Sequence, residues 1–94
     1  MPLRESYFEI ERIVMETLQD MIRRTRGTCM TFTPKKIAKR AGLSTKPVTL
    51  TIVDYVLQGL MEKGLIQFYH KGWHGKKYII HNTSPLWIKI KEGE

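Results

Sequence analysis

The chain is poor in cysteine and has no long hydrophobic run: in 94 residues there is one thiol, Cys29. A lone cysteine has no intramolecular disulfide partner and excludes zinc modules built on paired cysteines. It fits a reducing compartment. No apolar stretch approaches the roughly 20 residues that a membrane-spanning helix needs. The opening residues, MPLRESYFEIERIV, mix acids into their apolar positions. Neither a signal peptide nor a membrane segment is expected there, and the expectation is a soluble, cytoplasmic protein. Also missing are a Gly-rich phosphate loop, a catalytic pair of carboxylates, and a nucleophile with an evident base and orienter. These absences argue against an enzyme. There are no internal repeats and no low-complexity linker, so residues 1–94 are expected to form one domain around one core.

What is present in excess is basic charge, and it is unevenly placed. Sixteen Lys and Arg face nine Asp and Glu, a net charge of +7. Residues 1–22 carry Arg4 and Arg12 against Glu5, Glu9, Glu11, Glu16 and Asp20, a balance of −3. Residues 23–91 carry the other fourteen basic side chains against only Asp54 and Glu62. A segment charged in this way attracts polyanions and releases counterions from a phosphate backbone on binding. A membrane surface would attract it too, but no long amphipathic helix with a Lys/Arg face is there to exploit that.

Hydropathy periodicity divides the chain into short elements. Ser6 and Glu9 make a capping-box pattern, after which Tyr7, Ile10, Val14, Leu18, Met21 and Ile22 recur at helical spacing. This predicts helix 1 over about residues 7–25, stopped by Gly27, with Arg23, Arg24 and Arg26 at the negative end of its dipole. Cys29-Met30-Thr31-Phe32 reads as a short strand, in which Cys29 is expected to serve as a small buried hydrophobe. Thr33 is a candidate N-cap with Pro34 at the first helical position, so helix 2 is expected over about 34–41 and ends at Gly42. Ile37, Ala38 and Ala41 would face inward, with Lys35, Lys36, Lys39 and Arg40 outside. Leu43 plugs the turn, and Ser44 can cap the next helix.

Pro47 disfavours a helical Lys46, which places the start of helix 3 near Pro47 or at Thr49. Leu50, Val53, Val56, Leu57 and Leu60 then share its inner face, with Thr51, Tyr55 and Gln58 turned away. After Gly64, alternation over Ile66–Lys71 and again at Tyr78–His81 predicts a hairpin. Gly72 and Gly75 bracket its tip, Trp73-His74. Thr83-Ser84-Pro85 can cap a short last helix from Leu86, the reading favoured here, although Leu86, Ile88 and Ile90 also alternate as in a strand.

The run IAKRAGLS at 37–44, the pair Val48-Thr49 and the segment Glu62-Lys63-Gly64-Leu65-Ile66 together resemble the winged helix-turn-helix superfamily, in particular MarR-like regulators. The resemblance covers about residues 33–81 and is carried mostly by packing and capping positions. It implies an α+β winged helix ordered α1-β1-α2-α3-β2-β3 with a short C-terminal element. The helix-turn-helix would span about 34–63 and the wing about 65–81. It also implies sequence-preferring binding of double-stranded DNA by a transcriptional regulator, and pairing of two copies through helix 1 and the C-terminal segment. One departure stands out: more residues separate Leu43 from Gly64 than is usual in that family.

Within that reading the residues divide by chemistry. Lys35, Lys36, Lys39, Arg40, Lys71, Lys76 and Lys77 would neutralise phosphates around one groove. Ser44, Thr45, Lys46, Thr49, Thr51 and Tyr55 would face base edges, Ser44 with capping as its competing role. No Arg, Asn or Gln occupies the first turns of helix 3, so shape readout is expected to share the work. Trp73 at the basic hairpin tip would lie on phosphates or enter a minor groove, or else pack on its own hairpin or a second subunit. His70, His74 and His81 share the hairpin but match no zinc spacing, and neither metal nor cofactor is expected. Two other functions suit the same residues. One is a protein-interaction module using Tyr55, Trp73 and Trp87 as exposed aromatics, and the other is an RNA-binding or ribosome-associated domain.

Overall fold

The computed structural model describes residues 7–73 and 75–93. Ser6 and His74, expected in a capping box and at the hairpin tip, lie outside the described residues. The elements run α1 (Tyr7–Arg24), β1 (Cys29–Phe32), α2 (Pro34–Ala41), α3 (Pro47–Glu62), β2 (Gln67–Gly72), β3 (Gly75–His81) and α4 (Pro85–Glu92). Among the described residues the fold is thus α+β, with four helices and one three-stranded antiparallel sheet of order β1-β3-β2.

Local chemistry explains where each helix starts and stops. Thr33 is extended, and its Oγ1 accepts from Lys36 N–H at 3.1 Å while Pro34 opens α2. At the other end Gly42 takes φ 78°, and Leu43 N–H reaches back to Ala38 O at 2.8 Å, a glycine-terminated helix end. Gly64, at φ 77°, ends α3 in the same way, with Leu65 N–H donating to Leu60 O at 3.0 Å. The start of α3 differs from one of the expectations. Ser44 does not cap it: Ser44 Oγ accepts from Lys46 N–H at 3.1 Å in a turn, and the residue preceding the helix is Lys46, whose side chain makes no capping bond. Pro47 is the reason, since it holds Lys46 extended and has no N–H of its own to be capped. Helix 3 therefore runs 16 residues from Pro47.

The core lies where α1, α2, α3 and α4 meet one face of the sheet. Ile10, Val14, Leu18 and Ile22 of α1 pack with Val53, Val56, Leu57 and Leu60 of α3, and with Phe32, Ile66, Tyr78 and Ile80 from the sheet side. This is the face expected of α3, except that Leu50 is only half-buried; on α2, Ala41 is likewise half-buried. Ser84 anchors the last helix twice. Its Oγ donates to Leu65 O at 2.6 Å and accepts from Leu86 N–H at 3.3 Å, so one hydroxyl opens α4 and ties it to the turn after α3. The helical reading of 86–92 is the one realised.

Three expectations fail. Trp87 is buried against the core at 5% exposure and is no exposed aromatic. Helical spacing, not alternation, sets its direction, and it falls on the same side as Leu86 and Ile90. Cys29 is exposed, because it is the first residue of an edge strand and pairs with the equally exposed His81 at the end of the ladder. The alternation expected of β2 is also absent, since every residue from Gln67 to Gly72 is exposed. The register shifts between Phe68 and His70: Phe68 pairs with Tyr78 and His70 with Lys77, which leaves Tyr69 as an extra residue. A bulge of this kind moves the following side chains to the other face.

Candidate nucleic-acid interface

Three elements converge on one side of the molecule. The start of α2, the first two turns of α3 and the hairpin enclose a groove of about 480 Å³. Pro34 and Lys35 line it from α2, Leu50, Thr51 and Asp54 from α3, and Lys71 and Lys76 from the hairpin. Lys35 also borders a second, wider depression of about 740 Å³ with Lys36, Lys39, Arg40 and Lys77. The two share Lys35, but only the first takes in the start of α3; no α3 residue lines the second, and Lys77, between Lys76 and Tyr78 on β3, points to the sheet face away from α3. A phosphate backbone laid across both would meet donors from α2 and the hairpin.

The individual residues fall into three groups. Lys35, Lys36, Lys39 and Lys71 are exposed, and no ion pair holds them among the described residues. Lys77 is half-buried and borders the wider depression. Two expected phosphate ligands are engaged within the fold. Arg40 Nη2 contacts Asp20 Oδ2 at 3.3 Å, and Lys76 Nζ contacts Asp54 Oδ2 at 3.2 Å. Ser44, Thr45 and Lys46 are exposed in the turn before α3, where side chains can reach outward.

On α3 the positions separate by rotation. Thr51 is exposed in the groove, its Oγ1 donating to Pro47 O at 2.8 Å and keeping its lone pairs and methyl available. Thr49 is half-buried on another face. Tyr55, expected beside Thr51, is exposed but does not line the groove; its ring stands edge-on to Tyr7 at 5.7 Å, and Tyr7 stands edge-on to Phe8 at the same distance. Trp73 projects wholly into solvent, so it does not pack back on its hairpin.

Sequence reasoning missed Asp54. Its carboxylate accepts from Tyr78 Oη at 2.6 Å, Gln58 Nε2 at 2.8 Å and Lys76 Nζ at 3.2 Å, which makes it the junction of α3 and β3 on the groove wall. Burial, followed by the hydrogen bond to Asp54, raises the Tyr78 pKa well above that of a free phenol, so this donor keeps its proton. A signal was available: Asp54 and Glu62 are the only acids between residues 23 and 91. A second omission is Asp20, which joins Arg24 of α1 to Arg40 of α2. Its pKa is lowered chiefly by the Arg24 hydrogen bond, with Arg40 adding to the effect.

Among the described residues no three His, Cys, Asp or Glu side chains are grouped as metal ligands. No described helix is long and apolar enough to cross a membrane.

Comparison with known proteins adds little to this geometry. No family model matches the chain. An alignment of 83 residues that covers 86% of this chain is 28% identical to mouse histidine ammonia-lyase. The chain spans only 12% of that enzyme's length.

Proposed function

We propose that this chain is a winged helix-turn-helix protein of MarR-like type that binds double-stranded DNA and regulates transcription by occupying its site. In this reading α3 enters the major groove and the β2-β3 hairpin is the wing, resting on the backbone. The observation that carries it is the groove in which Lys35 of α2 and Lys71 and Lys76 of the hairpin meet the exposed start of α3, continued past Lys35 by the basic depression of Lys36, Lys39, Arg40 and Lys77. Element order supports it as well, with two consecutive helices followed by a basic hairpin. The resemblance to part of a lyase transfers no activity at 28% identity and 12% coverage. The proposal is of a binding protein without a cofactor, working in a reducing, cytoplasmic setting.

Binding is tested by fluorescence anisotropy on duplex DNA, single strands and structured RNA across a salt series. The expected result is preference for duplex, with log affinity falling linearly with log salt. Preference for structured RNA would favour the RNA-binding alternative, and weak binding to all three would remove the nucleic-acid reading. Selection of bound duplexes from a random library then identifies the preferred site. Pairing of two copies through α1 and α4 belongs to the same proposal. Sedimentation at tens of micromolar, with and without duplex, decides it.

A further inference from the structure

Between residues 47 and 57 of α3 only Pro47, Val48, Thr51 and Tyr55 are exposed, and the rest are half-buried or buried. Their spacing of three or four residues sets them along one side of the helix, opposite Val53, Val56 and Leu57. Val48 is the most open of the apolar side chains on α3, at 73% exposure. The fold gives no reason for a valine there. A β-branched residue is a middling helix former, and the positive end of the helix dipole favours acids in a first turn that holds none. Val48 belongs neither to the core nor to the apolar side chains packed against it.

The chemistry of this face is one-sided. Pro47 has no N–H, and the Thr51 hydroxyl gives its proton to Pro47 O at 2.8 Å. The exposed side chains of the first turn and of Thr51 thus present methyl and methylene groups and no free donor. Tyr55 follows two turns after Val48, with its ring edge-on to Tyr7. Cations stand to either side instead, with Lys46 exposed in the turn before the helix and Lys35 and Lys71 exposed across the groove. With phosphates on those cations, the face between them would meet base edges with carbon. The apolar group on a base edge in the major groove is the 5-methyl of a pyrimidine.

We propose that Val48 is a specificity-determining residue which, together with the methyl group of Thr51, recognises pyrimidine 5-methyl groups in the major groove, those of thymine in unmodified DNA. The inference rests on the DNA-binding reading above and adds which chemical feature of the site is read. Residues three apart on a helix stand about 5–6 Å apart at Cβ, or one to two base-pair steps of about 3.4 Å, so neighbouring methyl-bearing pyrimidines are the expected preference.

The test takes the duplex selected from a random library and replaces its thymines by uracil one at a time. Each exchange removes a methyl group and leaves the hydrogen-bonding groups of the base in place. Wild type is expected to lose about three- to five-fold in affinity at one or two positions, the effect of burying a single methyl group. Val48→Ala is expected to bring that thymine-to-uracil ratio close to one, and unchanged thermal melting verifies that the variant folds. A merely structural role for Val48 would lower both affinities together and keep the ratio, a result that overturns the proposal. A ratio of one in wild type overturns it as well and leaves duplex binding by the groove intact. A ratio that survives in Val48→Ala assigns the methyl effect to DNA shape and has the same consequence. Absence of any duplex binding by wild type removes both readings. A second arm places cytosine or 5-methylcytosine, each paired with guanine, at the sensitive positions. A gain on methylation that Val48→Ala abolishes extends the site to methylated cytosine, and no gain confines it to thymine; either supports the proposal once the thymine effect depends on Val48.

Discussion

The phenol of Tyr78 donates a 2.6 Å hydrogen bond to Oδ1 of Asp54, fastening the central strand of the sheet to the side of α3 that lines the groove. Lys76, two residues earlier on the same strand, reaches the other carboxylate oxygen. A rigid angle between α3 and the hairpin follows, because both donors lie on β3 and their acceptor lies on α3. Preorganisation of this kind lowers the ordering cost of binding.

Replacing Tyr78 with Phe keeps the buried ring and removes only the donor. The expected loss of stability is about 1.5–3 kcal/mol, the range for a hydrogen bond to a charged group. Urea unfolding measures it. An unchanged midpoint would mean that water replaces the phenol at Asp54 without cost.

Lys76 and Lys77 are adjacent in sequence and are predicted to behave differently. Lys77→Ala should weaken binding to every duplex and reduce the salt slope by about one, as for a lost phosphate contact. Lys76→Ala should reduce the slope less, because its ammonium is already paired with Asp54. Equal slopes for the two variants would show that phosphate displaces Asp54 from Lys76 on binding.

Thr51 and Thr49 form a second contrasting pair. Thr51→Ala is expected to erode preference for the best site by about 1–3 kcal/mol, the worth of a good base contact. Its affinity for unrelated sequence should barely move. Thr49→Ala should affect site preference less, since Thr49 is half-buried and does not line the groove. Competition binding with selected and scrambled duplexes separates the two effects.

Asp20→Asn removes the acid shared by Arg24 and Arg40 and leaves both guanidinium groups free for phosphate. Duplex affinity should rise about two- to five-fold at low salt, and the gain should shrink as salt screens it. The pH dependence has a definite sign. The carboxyl of Asp20 is held below its usual 3.8 in the folded protein, so its stabilising effect is complete above that value. It is lost as pH falls through the lower folded value. Wild type and variant should therefore differ slightly in melting temperature at neutral pH and converge in acid, the small size reflecting an exposed pair.

Much of the architecture is legible in the linear chain. The apolar spacing from Ile10 to Ile22 and from Val53 to Leu60, the Thr33-Pro34 start of α2 and the stops at Gly42 and Gly64 are local signals, and local structure follows them. Ser44 misleads because a side chain able to cap helices competes with the backbone restriction that Pro47 imposes three residues later. The alternation in β2 misleads because a bulge is a property of two paired strands, and its partner β3 is needed to reveal Tyr69 as the extra residue.

The site divides along the same line. Charge placement is a property of the linear chain, so the basic stretch after residue 22 and the exposure of Lys35, Lys36 and Lys39 on one side of a short helix were determined by the sequence itself. Which basic groups of α2 and the hairpin remain free was decided by tertiary contacts. Asp54 meets Lys76 across 22 residues, and Asp20 meets Arg40 across 20. The rotation of Tyr55 toward Tyr7 and the burial of Trp87 are decisions of the same kind, since each depends on how two helices pack. Periodicity assigns a residue to a face of its own element, and only packing settles what that face meets.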